Sequence, residues 1–337
     1  DQHLAGADPW QQLLGEVARS WPPDRWRDLG VVIGCSGGAD SVSLTHALAS
    51  LRQPAAGETT PPRGFLLVAH FNHRLRGRAS DDDQESVVAL SRELDLRCRC
   101  GRAETPRSDE ASMRSARLQF LVDVAHRAGA RYLALAHSAD DNVETVLHHL
   151  MRGTGPAGLA GIGSPRAIDT DLVLVRPLLG TRRQLSRAAL NDAGISWRED
   201  ASNLDLGYGR NWIRHELIPV IESRYPLASE AIGRAVAGQR QWRQIIDRLA
   251  AQWLDEHLVC LQPMTLRRDR DAEPAIVIAA IQMLWTQADW PRGKMTQSHW
   301  LQVAQTLSST PPQRYALPAG IEVVAKADQV TIGLPLP

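Results

Sequence analysis

Short apolar runs alternate with longer amphipathic stretches through much of the chain. Val31-Val32-Ile33, Phe65 to Ala69, Arg97 to Gly101, Arg131 to Ala136 and Leu172 to Arg176 read as strands. Between them lie helical patterns. Leu44, Leu48 and Leu51 mark one, a second opens at Ser80 with Asp83 in capping-box position, and Glu110 to Ala128 carries a stripe of Met113, Phe120, Leu121 and Val124. Another buries Val143, Val146, Leu147 and Leu150, and Thr181 caps one more. Ahead of the first strand, Trp10, Leu13, Leu14 and Val17 predict a helix packed on the sheet. This βα alternation predicts an α/β domain over residues 1–222, with a doubly wound, mainly parallel sheet. It stops around Ser223 to Ala228. Helical patterns over Ala228 to Leu258, Pro274 to Ala288 and Thr296 to Leu307 follow, then a tail that alternates like two strands joined near Asp328. Residues 223–337 are therefore expected to form a second, mostly helical domain with a short terminal β element.

The loop after the first strand carries the densest signal. Ser36-Gly37-Gly38-Ala39-Asp40-Ser41 sits between a β-branched run and a helix. Glycines let backbone approach an anion, and the first N–H groups of a helix and its dipole both favour negative charge, so this is a phosphate cradle. Asp40 would orient backbone N–H groups or hold magnesium. A Walker A loop is excluded because no lysine is near, and a dinucleotide fingerprint lacks its second glycine. Gly34-Cys35-Ser36-Gly37-Gly38 does satisfy G-x-S-x-G, so a serine hydrolase using Ser36 with Asp140 or Asp141 and His215 is a rival reading.

Other polar clusters emerge where strands end, the edge at which open α/β sheets bind ligands. His70-Phe71-Asn72-His73-Arg74-Leu75-Arg76-Gly77 follows one strand, and His137-Ser138-Ala139-Asp140-Asp141-Asn142-Val143-Glu144 follows another. The carboxylates Asp140, Asp141 and Glu144 would suit magnesium or the ammonium groups of a cationic substrate. Arg114 and Arg117 share a helix face. The glycine-rich stretch from Arg152 and Gly153 to Gly161 reads as a flexible loop beside a site. Trp197 to Asn203 and Tyr208 to His215 are polar stretches with aromatic anchors that could clamp nucleic acid or simply cap a helix.

Composition changes this picture little. The 337 residues carry zero formal net charge, with 43% hydrophobic and 23% charged residues, which fits a globular protein of about two domains. Lys294 and Lys326 are the only lysines, so nearly all positive charge is arginine. No run is long enough to span a membrane, and the first residues do not resemble a signal peptide. Cys35, Cys98, Cys100 and Cys260 lack metal-ligand spacing, which favours a cytoplasmic setting.

The SGGADS loop resembles that of the N-type ATP pyrophosphatases, the PP-loop family. Taken with AHFNHRLRG, EASMRSARLQF, AHSADDNVETVL, MRGTGPAGLAGI, RPLL, EDASNLD and YGRNWIRHELIP, the chain resembles the tRNA(Ile)-lysidine synthetase family over about residues 30 to 220. The resemblance implies an adenine nucleotide α-hydrolase-like fold and a ligase using ATP and Mg2+. That ligase joins L-lysine to the wobble cytidine of a CAU-anticodon tRNA(Ile) through an adenylated intermediate. By position it implies that Ser36, Gly37, Gly38, Asp40, Ser41, His70, Asn72 and His73 hold ATP, with Asp40 on magnesium. It makes Asp40, Asp140, Asp141, Glu144, His137, Arg114 and Arg117 catalytic. Contacts to tRNA would come from Arg76, Arg152, Gly153, Asn203, Arg210, Asn211 and Arg214. A tRNA thiolase of the same class would need reactive cysteines near the site, which the Cys98-x-Cys100 spacing does not supply. Oligomeric state is left open, a homodimer included.

Overall fold

The computed structural model describes residues 8–54, 60–105, 109–199, 209–309 and 312–334. The chain divides into two compact units, Asp1–Arg152 with Gly161–Gly233, and Gly153–Ala160 with Arg234–Pro337.

In the first unit, α1 (Pro9–Ser20) precedes β1 (Gly30–Gly34), α2 (Ala39–Arg52), β2 (Phe65–Asn72), α3 (Arg78–Glu93) and β3 (Arg97–Arg102). Then come α4 (Glu110–Ala128), β4 (Tyr132–Leu135) and α5 (Ala139–Met151). The short α6 (Pro156–Leu159) belongs to the second unit, and β5 (Arg166–Ala167), β6 (Val173–Val175) and α7 (Arg183–Asp192) return to the first. The sheet order is β3-β2-β1-β4-β6-β5, parallel except for the β5–β6 pair. Alternation along β1 sorts its side chains: Val31 and Ile33 pack with residues of α1, α2 and α7, while Val32 packs with Leu121, Val124 and Ala125 of α4. Both faces are thus covered, and the central strands are apolar throughout. Because β2 and β4 flank β1, the connections after β1 and β4 leave toward opposite faces and open a crevice at the strands' carboxyl ends.

Two helix starts differ from the sequence expectation. Helix α3 begins at Arg78, because Gly77 turns the chain with φ of 52°, and Ser80 lies inside the first turn, accepting from the Arg76 N–H at 3.2 Å. Helix α7 starts after Arg182, two residues beyond Thr181. The stretch around Arg210 is helical, α8 (Gly209–Trp212), running through a π-helical turn over Ile213–Leu217 into α9 (Ile218–Arg224).

Helix α10 (Ala228–His257) contains Gly233 and Arg234, at which the two units divide. The second unit then adds β7 (Leu258–Leu261), β8 (Met264–Arg267), α11 (Pro274–Gln287), α12 (Gln297–Ser308), β9 (Gln313–Leu317), β10 (Ile321–Ala325) and β11 (Gln329–Gly333). Instead of a short terminal β element, it holds a five-stranded antiparallel sheet, β7-β8-β11-β10-β9. The turn near Asp328 joins β10 to β11 as the alternation predicts. Strands β7 and β8 have four residues each, too short for their period to be separated from the end of the preceding helix. Trp285, fully buried, meets Trp300 and Trp290 edge-on at 5.1 and 4.8 Å in this core.

Leu133 is fully buried on β4 between two parallel neighbours. Leu133→Ala is expected to lower unfolding free energy by about 2–5 kcal/mol in guanidinium titrations.

Candidate active site

The phosphate loop is shaped from within by Ser41. Its Oγ accepts the N–H groups of Ser36 and Gly37 at 3.1 and 3.2 Å and donates to the Gly38 carbonyl at 2.9 Å. Ser36 Oγ lies 3.1 Å from the same hydroxyl. Gly37 has φ of 93°, a conformation that side chains with a Cβ rarely adopt, and its carbonyl accepts the Arg198 N–H at 2.9 Å. Ser36 therefore bonds a serine hydroxyl rather than an imidazole, which leaves the hydrolase reading without an activated nucleophile.

Opposite the loop, α5 starts with a capping box. Ser138 Oγ accepts the Asp141 N–H at 3.4 Å, and Asp141 Oδ2 accepts the Ser138 N–H at 2.8 Å. The other Asp141 oxygen accepts from Arg183 at 2.8 Å and Arg214 at 3.3 Å. Glu144, only 2% exposed, takes Arg214 on both oxygens at 2.7 and 2.8 Å. Arg183 also donates to Asp40 at 3.3 Å and to Glu144 at 3.4 Å, and its backbone N–H meets Asp140 at 2.8 Å. One guanidinium thus joins the start of α2 to the start of α5. Burial pushes the Asp40 carboxyl up to about 6 against the pull of Arg183, with Asp141 and Asp140 adding to the rise. For Asp141 burial acts the same way, but Arg183, the Ser138 N–H, His137 and Arg214 together hold it below the usual carboxylate value.

His137 is kept neutral, its pKa pressed down to about 3 by burial and by Arg176, which donates to Nδ1 at 3.1 Å. His70 is 5% exposed and its Nδ1 lies 2.9 Å from the Cys35 carbonyl. A carbonyl only accepts, so Nδ1 carries the proton and Nε2 is left as an acceptor. Burial lowers the His70 pKa, and burial, Arg117 and His70 lower that of His73. Asn72 is committed to architecture: it donates to the Ser80 carbonyl and to Asp81, and accepts the Arg74 N–H.

These residues line a cleft of about 1100 Å³. Asp40, Asp140, Asp141, His70, Asn72, His73, Arg76, Arg117, His137 and Arg214 all reach it. Glu144 stands behind Arg214 and Arg183 rather than on its wall. No hydrogen bond or ion pair engages the Arg117 guanidinium among the described residues, and burial, with Arg114 beside it, depresses its pKa. Arg114 is exposed and outside the lining, as is Arg152 at the end of α5. Gly153 falls in the second unit, Arg210 and Asn211 of α8 do not reach the cleft, and Asn203 lies outside the described residues. Arg214 is turned inward on carboxylates, and Arg76 is held by Asp83 at 2.6 Å, where Arg198 joins it at 3.1 Å.

Sequence reasoning passed over Arg183, gave Arg176 only as a strand end and part of a motif, and met Arg198 only within the stretch Trp197 to Asn203. The motif RPLL contains Arg176 but says nothing of its target, and nothing in its neighbourhood marks Arg183 as the partner of carboxylates 39 to 143 positions away. Among the described residues no three His, Cys, Asp or Glu side chains are placed to hold a metal. Asp40 Oδ1, buried and without a partner, nevertheless suits a magnesium ion that shares its shell with substrate phosphates.

A crevice at the strand switch point, floored by an SGGADS loop and faced by carboxylates, defines a phosphate-binding α/β enzyme of the PP-loop class, and residues 15–221 match the PP-loop domain family. The U34-tRNA thiolase NcsA from Methanococcus maripaludis superposes with a TM-score of 0.56 over 67% of this chain and 77% of that one, a likeness of fold at 16% identity. The tRNA(Ile)-lysidine synthase of Rhodopirellula baltica is 40% identical over 86% of this chain and 83% of its own length. That of Geobacter sulfurreducens is 38% identical over 68% of this chain, which spans about half (48%) of that longer relative. The chain belongs to the tRNA(Ile)-lysidine synthase family, ATP-binding ligases of tRNA modification.

Removing Arg214 leaves a buried Glu144 facing Arg183 alone. Arg214→Ala is expected to cost about 3 kcal/mol in denaturant unfolding, and Glu144→Gln in the same chain to recover part of it.

Proposed function

We propose that the protein ligates free L-lysine to carbon 2 of the wobble cytidine in a CAU-anticodon tRNA(Ile), in two steps at one cleft. In the first, the cytidine oxygen attacks the α-phosphorus of ATP, an oxygen–phosphorus bond forms, and pyrophosphate leaves. In the second, the lysine side-chain amine attacks carbon 2 and AMP leaves with the oxygen. The observation that carries this reading is the pairing of a phosphate loop with a set of carboxylates across a single crevice, tied together by Arg183. Gly37, Gly38 and the start of α2 would cradle the triphosphate. Arg117, whose guanidinium makes no hydrogen bond or ion pair among the described residues, would meet the leaving pyrophosphate or the lysine carboxylate, and neutral His70 and His73 would offer hydrogen bonds there. Asp40 would hold magnesium, which when bound neutralises charge on the phosphates.

The amine must lose a proton, from a group whose ordinary pKa is about 10.4. His137, near 3, is too weak a base for this and serves instead as a neutral, oriented imidazole. Asp140, Asp141 and Glu144 would attract the ammonium groups, though Arg183 and Arg214 already balance much of their charge. The anticodon base has to be unstacked to reach the cleft. Exposed Arg234 and Arg248 of α10 would meet tRNA phosphates, making binding salt-sensitive, whereas Arg240 and Arg243 are spent on the Ala160 carbonyl and Asp247. A cytoplasmic setting fits such a substrate, and no described helix is long and apolar enough to cross a membrane.

The test is an omission series with magnesium, ATP, radiolabelled lysine and a CAU-anticodon tRNA(Ile) transcript, scored for acid-precipitable lysine. Incorporation should need every component and vanish when the wobble cytidine becomes uridine. Pyrophosphate release without lysine incorporation would point to another nucleophile. Asp40→Ala should abolish pyrophosphate release; persistence would overturn the loop assignment. Because its raised pKa keeps Asp40 protonated below about pH 6, release at limiting magnesium should fall as pH drops through that value. Added magnesium competes with the proton and should move this limb to lower pH.

A further inference from the structure

Cys98 and Cys100 lie outside the cleft and have no part in the reaction above. Both are free, and their Sγ atoms are 3.8 Å apart on β3. Residues two apart on a strand share a face, and here Cys98 packs against the cluster of Cys35, Val68 and Val87, while Arg102, further along the same face, meets Gln84 and Asp81 of α3. Two strand rises separate their Cα atoms by roughly 6.6 Å, near the upper end of the span a disulfide bridges. Closing the bond would therefore draw the strand in. An edge strand can yield in this way, since among the described strands β3 pairs with β2 alone. In that pairing Cys98 stands opposite Val68 and Cys100 opposite His70.

We propose that Cys98 and Cys100 form a reversible dithiol–disulfide site, oxidised by the disulfides of low-molecular-weight thiols, and that its closure displaces the end of β2 that carries His70. Cys100, the exposed thiol, loses its proton and attacks one sulfur of the small disulfide, forming a mixed disulfide and expelling a thiolate. The Cys98 thiolate then attacks Cys100 Sγ, a protein disulfide forms, and a second small thiolate leaves. Two electrons and two protons pass from the protein to give two small thiols. Cys35 is buried, with its thiol hydrogen-bonded to Ser41 Oγ. Burial and Cys98 push the Cys100 thiol up to about 12, so the first attack is slow at neutral pH and accelerates as pH rises. The expected consequence for nucleotide affinity rests on the proposed ATP site; the chemistry of the pair does not.

The test uses the full chain carrying Cys260→Ser, which removes the other exposed thiol. After treatment with glutathione disulfide and alkylation, mass spectrometry of the peptide spanning both cysteines should show loss of two hydrogens and of both alkylation sites, reversed by dithiothreitol. Adding Cys98→Ser should arrest the reaction at a glutathione adduct on Cys100. Two alkylated cysteines, an arrested adduct in the chain with both thiols, or a link to Cys35 would overturn the site. Closure should also shift the His70 imidazole resonances in NMR, while the chain also carrying Cys98→Ser and Cys100→Ser stays unchanged; closure without that shift overturns the coupling. ATP affinity should fall several-fold on closure. Failure of the reduced protein to bind ATP would count against the proposed function and leave the mass and NMR results to decide this inference.

Discussion

Charge that is buried must be matched, and in this protein the match is made by arginine. Asp40, Asp141 and Glu144 converge from the starts of two helices that lie on different parts of the sheet, and Arg183 and Arg214 are the counter-charges that make the convergence tolerable. Without them, desolvation alone would neutralise the carboxylates or drive the helix ends apart. The crevice at the β1/β4 switch is a consequence of topology, but its chemical character depends on these guanidiniums. They also set different states for neighbouring acids: Asp141 is held ionised, while Asp40, with one oxygen unpartnered, sits closer to neutrality.

Legibility followed the range of the interactions. The strands and helices of the first unit were readable because their burial patterns are local: Val31 to Ile33 is apolar on both faces, and α4 and α5 carry periodic stripes. The loop at Ser36 to Ser41 was readable because backbone geometry demands glycine there. What escaped was non-local. Arg183 meets Asp40 across 143 positions, a pairing invisible to any window of sequence. Arg214 reads as a nucleic-acid contact, and nothing local marks that its guanidinium also pairs with Asp141 and Glu144. Asn72, which lines the cleft, has no local mark of the hydrogen bonds its side chain makes to its own turn.

The second unit shows the same limit differently. Its helices were legible from long apolar patterns, whereas the sheet needed pairing between β8 and β11, more than sixty positions apart, to bring four-residue strands into existence. A segment such as Leu258–Leu261 has no strand identity until its partner is in place, so a helix pattern running into it is the natural local reading.

Ser41 gives the phosphate loop a particular thermodynamic character. The N–H groups of Ser36 and Gly37 do not wait in water for a ligand; they are already engaged by a hydroxyl on the helix they precede. An entering phosphate therefore trades one hydrogen bond for another, and little net enthalpy is gained from those donors. A phosphate bound at this loop would thus be held there more by its charge at the start of α2, which a neutral hydroxyl cannot imitate, than by those two donors.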